Sequence, residues 1–136
     1  MYGAENWTIS RKMETKLEAM EMWTWRRMMK ISWTERKSNE TVLNMVGEKR
    51  KLMKTIRKRQ MKFLGHTIRR GGIENVAITG MIEGKRGRGK PREKYLDGLA
   101  RAVGGNITPS RLLQKTADRQ RWRIMTANVL EDTAHR

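Results

Sequence analysis

From Ser10 to about Ile31 the chain carries neither Gly nor Pro, and Met13, Leu17, Met20, Trp23, Met28 and Ile31 recur near helical spacing. An uninterrupted apolar stripe of that length predicts a helix, with Ser10 placed to cap it. Trp25 and Met29 widen the expected buried face, so Trp23, Trp25 and Trp33 read as core side chains. A turn is expected over Thr34 to Lys37. Ser38 then caps a short helix through Thr41, Val42, Leu43 and Val46, which Gly47 ends in the left-handed conformation.

The same punctuation runs on. A helix from Glu48 to Arg70 carries Leu52, Met53, Ile56, Phe63, Leu64 and Ile68 as its apolar stripe, and Gly71-Gly72 stops it. Residues 73–83 fit a short helix or a strand. Gly84 to Arg92 holds three Gly and a Pro in nine residues, which predicts a flexible cationic loop. Pro91 suits the first turn of a helix through Tyr95, Leu96, Leu99 and Val103, ended by Gly104-Gly105. Thr108-Pro109 opens a last helix to about Leu130, with Leu112, Leu113, Ala117, Trp122, Met125 and Val129 inward. The expectation is an all-α fold, a small irregular bundle of four or five helices with a flexible Gly/Arg-rich loop. Residues 1–9 form an entry segment, 10–130 a single helical domain and 131–136 a frayed tail.

Charge narrows the function. Thirty-one Lys and Arg against fourteen Asp and Glu give a formal +17, and polyanions relieve the self-repulsion of such an excess. Between Glu48 and Gly72 stand ten basic residues and one acidic residue, so about half the net charge lies on one helix. Lys49, Arg50, Lys51, Lys54, Arg57, Lys58, Arg59 and Lys62 are expected on its exposed faces, with Arg69 and Arg70 at its end, as a phosphate-binding surface. A solvated helix face is the bland alternative, but a helix that only needs solubility mixes signs. In the Gly/Arg loop Arg86, Arg88, Lys90 and Arg92 are candidate nucleic-acid contacts. The loop is close to an AT-hook core of Arg-Gly-Arg-Pro, except that Gly89-Lys90 separates Arg88 from Pro91.

Other chemistries find little support. The chain has no Cys, which removes disulfides, thiolate catalysis and zinc knuckles together. His66 and His135 are its only histidines; His66 reads as a packing or capping residue and His135 as part of the frayed end. No metal and no cofactor is expected. No apolar run approaches the roughly 18 residues of a membrane span, and the N-terminus lacks the pattern of a secretory signal. The expected location is intracellular, in the nucleus. The tryptophans at helical spacing are assigned to the core rather than to base stacking, with Trp122 inward as well.

Several segments share an order with a known family. Tyr2-Gly3-Ala4-Glu5-x-Trp7, Leu17-Glu18-Ala19-Met20-Glu21-Met22-Trp23, Arg26-Arg27-Met28 and Ile31-Ser32-Trp33-Thr34-Glu35-Arg36 come first. Ser38-Asn39-Glu40, Leu64-Gly65-His66-x-Ile68-Arg69-Arg70, Glu83 to Arg92 and Asp118-Arg119-x-x-Trp122-Arg123 follow. Together they resemble the C-terminal region of LINE-type (non-LTR) retrotransposon endonuclease-reverse transcriptases, downstream of the polymerase domain. The resemblance runs from Tyr2 to about Val129. It implies a parent that is an RNA-directed DNA polymerase, with RNA, DNA and upstream reverse-transcriptase domains as partners. A palm requires paired carboxylates for its metal ions, whereas Asp97, Asp118 and Asp132 stand apart and the chain has no Asp-Asp pair. The expectation is therefore a nucleic-acid-binding fragment that is not itself an enzyme. The alternatives are a structural buttress of the parent polymerase, a non-functional retroelement relic or a captured chromatin-type binder.

Overall fold

The computed structural model describes residues 2–80, 84, 87–89, 93–104 and 107–128. Among them are seven α-helices and no strand. They are α1 (Arg11–Met28), α2 (Asn39–Val46), α3 (Leu52–Arg70), α4 (Ile73–Thr79), α5 (Tyr95–Ala102), α6 (Pro109–Lys115) and α7 (Arg119–Asn128). The protein is all-α. Where one helical domain over 10–130 was expected, the chain packs as two compact units. One spans 10–55, and the other joins 1–9 to 56–136.

In the 10–55 unit, Ser10 Oγ accepts the Met13 amide 3.3 Å away and starts α1. The helix stops at Met28, three residues before the expected end. Lys30 turns left-handed at φ 53°, and the Lys30 and Ile31 amides return to the carbonyls of Arg27 and Arg26, the closing pattern of a Schellman motif without its usual glycine. Trp33–Glu35 is a 3-10 turn with a capping box between Ser32 and Glu35. Ser38 caps α2, and Gly47 ends it at φ 69° as its sequence indicates. Leu17, Met22 and Val42 are the buried hydrophobic residues described in this unit, a thin core supplemented by polar ties. Glu21 Oε1 accepts the Lys51 and Leu52 amides at 2.8 and 3.0 Å, setting an anion on the start of α3, where the helix dipole favours it. Arg26 Nη2 donates to the Lys37 carbonyl at 2.8 Å and to Asn39 Oδ1 at 2.9 Å.

The other unit is built on α3 from Ile56 onward. Met61, Leu64, Leu96, Leu99, Ala100, Leu112 and Trp122 form its core. The entry segment is an integral part of it. Gln60, fully buried, donates from Nε2 to the carbonyls of Trp7 (2.8 Å) and Ala4 (3.4 Å). The Tyr95 hydroxyl donates to the Glu5 carbonyl at 2.8 Å. A Cβ on Gly98 would lie 3.2 Å from the Ile9 carbonyl oxygen, so α5 passes close to the entry segment at this glycine and a larger residue would push the two apart by a few tenths of an ångström. The ambiguous segment after Gly72 is helix α4. The long helix expected from Thr108 begins as predicted, with Thr108 capping and Pro109 in the first turn, but it breaks after Lys115. Asp118 Oδ1 accepts the Gln120 and Arg121 amides and caps α7 separately, while the buried Thr116 hydroxyl returns to the Leu113 carbonyl. Ala117, expected inward, is exposed at this junction.

Two of the sequence segments meet inside this unit. The Trp122 indole packs on α3 so closely that a Cβ on Gly65 would overlap it, and its Nε1–H donates to the Met61 carbonyl at 3.0 Å. Trp122 is only 4% exposed, the burial that its helical spacing predicts.

Candidate nucleic-acid interface

Helix periodicity divides the cations of α3. Arg59, Lys62, His66 and Arg70 follow one another at three- and four-residue steps, and all four are exposed. Lys58, half-buried, flanks them. At about 1.5 Å per residue this stripe is roughly 16 Å long. A duplex presents about ten phosphate charges over that length, more than enough to match every cation. Lys58, Lys62 and Arg70 have no carboxylate partner among the described residues. His66, expected to pack or cap, instead lies exposed within the cationic stripe.

The other predicted cations have different surroundings. Arg57 is a correction to the expected surface. It is 5% exposed and donates from Nη1 to Gln60 Oε1 at 2.9 Å, so it belongs to the interior. Its reason is positional, because Arg57, Gln60, Met61, Leu64 and Gly65 share the inward face of α3. Arg69 is exposed but donates from Nη1 to the Thr116 carbonyl at 3.0 Å, supporting the α6–α7 junction. In the 10–55 unit, Lys49 is exposed, Arg50 lies 3.5 Å from Glu18, Lys51 pairs with Glu48 and Lys54 is half-buried. Arg88 is exposed. Arg86, Lys90 and Arg92 of the Gly/Arg loop, and His135, lie outside the described residues.

The tryptophans divide as well. Trp25 is half-buried, but Trp23 is 59% and Trp33 90% exposed. The core assignment of Trp23 and Trp33 is therefore overturned. The inward face of α1 is turned away from the predicted stripe and carries Glu14, Leu17, Glu18, Glu21, Met22, Trp25 and Arg26. Met13, Met20, Met28 and Met29 are left at the surface.

Among the described residues no group of three or more His, Cys, Asp or Glu could hold a metal ion. No described helix is long and apolar enough to cross a membrane. The chain matches no family model, no curated protein and no solved structure.

Proposed function

We propose that this chain binds RNA or DNA through phosphate contacts on the solvent face of α3, as a nucleic-acid-holding segment rather than a catalyst. The observation that carries the reading is the stripe of Arg59, Lys62 and Arg70 with Lys58 beside it, on a helix without a single acidic residue from Leu52 to Arg70. Contacts of this kind read charge and spacing rather than base identity, so the binding is sequence-nonspecific. Arg86, Arg88, Lys90 and Arg92 add a second cationic segment, and Lys49, Arg50, Lys51 and Lys54 a third. Arg57 leaves the set.

The sequence resemblance to LINE-type reverse transcriptases supplies the context. In that context the chain holds template or target beside the upstream polymerase domains of its parent, in the nucleus, and contributes no catalytic carboxylates. The rival reading is a buttress for those domains, or a relic of them. It draws on the exposed Met and Trp side chains of α1, which suit a face covered by protein.

Fluorescence anisotropy with an RNA hairpin and a matched DNA duplex across a salt series tests the proposal. The four α3 cations alone neutralise about four phosphates and contribute roughly −3 to −4 to the log–log salt slope. Flat, weak binding by a folded sample refutes it and leaves the buttress.

A further inference from the structure

The exposed tryptophans of the 10–55 unit do not stand alone. Trp23 and Trp33 line one open groove of ≈ 1070 Å³, together with Met20, Lys16, Arg27 and Arg36. Arg26 and Lys37 line it too, and no carboxylate does. The nearby Glu35 is committed, accepting the Ser32 amide at 2.8 Å and pairing with Lys37 at 2.7 Å. These bonds hold its carboxyl below the usual carboxylate range. The Arg27 guanidinium lies 5.4 Å from the centroid of the Trp23 ring, a cation–π arrangement.

The placement of both rings follows from the backbone. Trp23 sits on the outer side of α1, opposite Leu17 and Met22, which face the core. Trp33 opens a 3-10 turn whose capping box fixes the backbone beneath it, so its ring stands out on a rigid base. Two large aromatic side chains therefore face solvent inside a rim of cations, with Arg27 set over the Trp23 ring. A purely apolar partner satisfies the rings and leaves Lys16, Arg27 and Arg36 without an anion. An unpaired nucleic-acid strand satisfies both, because its bases stack on aromatic faces while its phosphates meet Lys and Arg.

We infer that the Trp23–Trp33 groove is a stacking site for unpaired nucleobases, making the 10–55 unit a single-strand binder in its own right. The inference shares with the proposed function only its class of ligand, since its residues and its chemistry are separate. A duplex keeps its bases stacked on one another, so the groove discriminates single strands from duplexes, which the α3 stripe does not.

The test uses the full chain with a 15-nucleotide oligo(dT) and a 15-base-pair duplex as probes. Wild type is compared with Trp23→Ala/Trp33→Ala, with Trp23→Phe/Trp33→Phe, and with Lys58→Glu/Lys62→Glu/Arg70→Glu. Both rings are exposed, so the alanine variant keeps its helical circular dichroism. Losing a stacked base costs about fivefold or more in affinity. The alanine pair is therefore expected to weaken oligo(dT) binding on the order of 25-fold while duplex binding stays within about twofold, and the phenylalanine pair restores most of the loss. Unchanged oligo(dT) affinity in the alanine pair overturns the inference, and so does an equal loss on both probes. A switch from self-associating to monomeric protein without loss of oligo(dT) binding also overturns it, because the groove then docks protein. The α3 variant separates the two readings. If it binds duplex like wild type while the alanine pair loses oligo(dT), the α3 proposal fails and the groove stands.

Discussion

Replacing Gly65 by Ala tests the packing that fixes α3 in its unit. In an exposed helix interior the change helps, by about 1 kcal/mol, because alanine loses less backbone entropy than glycine. Gly65 is buried under Trp122. An added Cβ would stand 2.6 Å from the indole Cδ1 and 2.9 Å from Cε2, and nearer still to Nε1. Ordinary carbon contacts are about 3.5–4.0 Å, so the indole must retreat by roughly an ångström into a closed core. Overpacking of this kind costs about 1–3 kcal/mol. Retreat also breaks the 3.0 Å bond from Nε1 to the Met61 carbonyl, worth about 1 kcal/mol. Setting the helix gain against these losses, Gly65→Ala is expected to destabilise the unit by about 2 kcal/mol. Urea unfolding followed by far-ultraviolet circular dichroism reads this as a lower midpoint at unchanged slope. A Trp122→Leu background removes the overlap, and there Gly65→Ala should stabilise by up to about 1 kcal/mol. A Gly65→Ala protein as stable as wild type, with Trp122 intact, refutes the packing argument.

Two further perturbations address the ties around this helix. Glu21→Ala removes the acceptor for the Lys51 and Leu52 amides. Hydrogen exchange of those two amides should accelerate, with a loss of about 1–2 kcal/mol in the 10–55 unit, and Glu21→Gln, which keeps an acceptor, should lose less. Burial pushes the Tyr95 hydroxyl well above its ordinary 10.0. With the folded value raised, the neutral phenol's contribution is fully present below pH 10 and declines as pH rises from 10 toward the folded value. Tyr95→Phe is therefore expected to be about 1 kcal/mol less stable near neutrality, from the lost bond to the Glu5 carbonyl, and to show a shallower alkaline limb in pH-dependent melting. Parallel alkaline limbs in the two proteins would contradict this account.

Much of the helical layout was legible because its punctuation is local. Ser10, Ser38, Gly47, Gly71 and Thr108-Pro109 act through their own backbone geometry, and each bounds a helix where its residue type places a boundary. The face that each helix buries was harder to read. On α1 the inward side includes Glu14, Glu18, Glu21 and Arg26, and three of these serve as polar ties: Glu21 on the start of α3, Glu18 beside Arg50, and Arg26 on 37–39. Hydrophobic periodicity sends such residues to solvent, so it rotates the helix and buries Trp23 on paper. Arg57 misled in the same way on α3, where it joins Gln60 in a polar pair that anchors the entry segment from inside the core. The sequence hint was Gly65, a helix-interior glycine on the face shared by Arg57 and Gln60, where another side chain comes close. The early ends of α1 and α6 depend on Lys30 in a left-handed conformation and on Asp118 capping a new helix. Lysine does not favour that conformation, whereas aspartate is a preferred helix cap, so the break before α7 carried a local signal that the apolar stripe across it overrode.

The central claim is that duplex binding depends chiefly on one face of α3 and not on net charge alone. Affinity for a DNA duplex across a salt series, measured for two variants of equal charge, tests it most directly. One variant is Lys58→Glu/Lys62→Glu/Arg70→Glu, and the other is Arg11→Glu/Lys12→Glu/Arg111→Glu, three exposed positions in the first turns of α1 and α6 where an acid suits the helix dipole. The account predicts that the α3 variant loses most of its affinity and about three units of salt slope, while the control keeps a slope near wild type. Equal losses in the two variants would contradict it, and would reduce the interface to the overall charge of the chain.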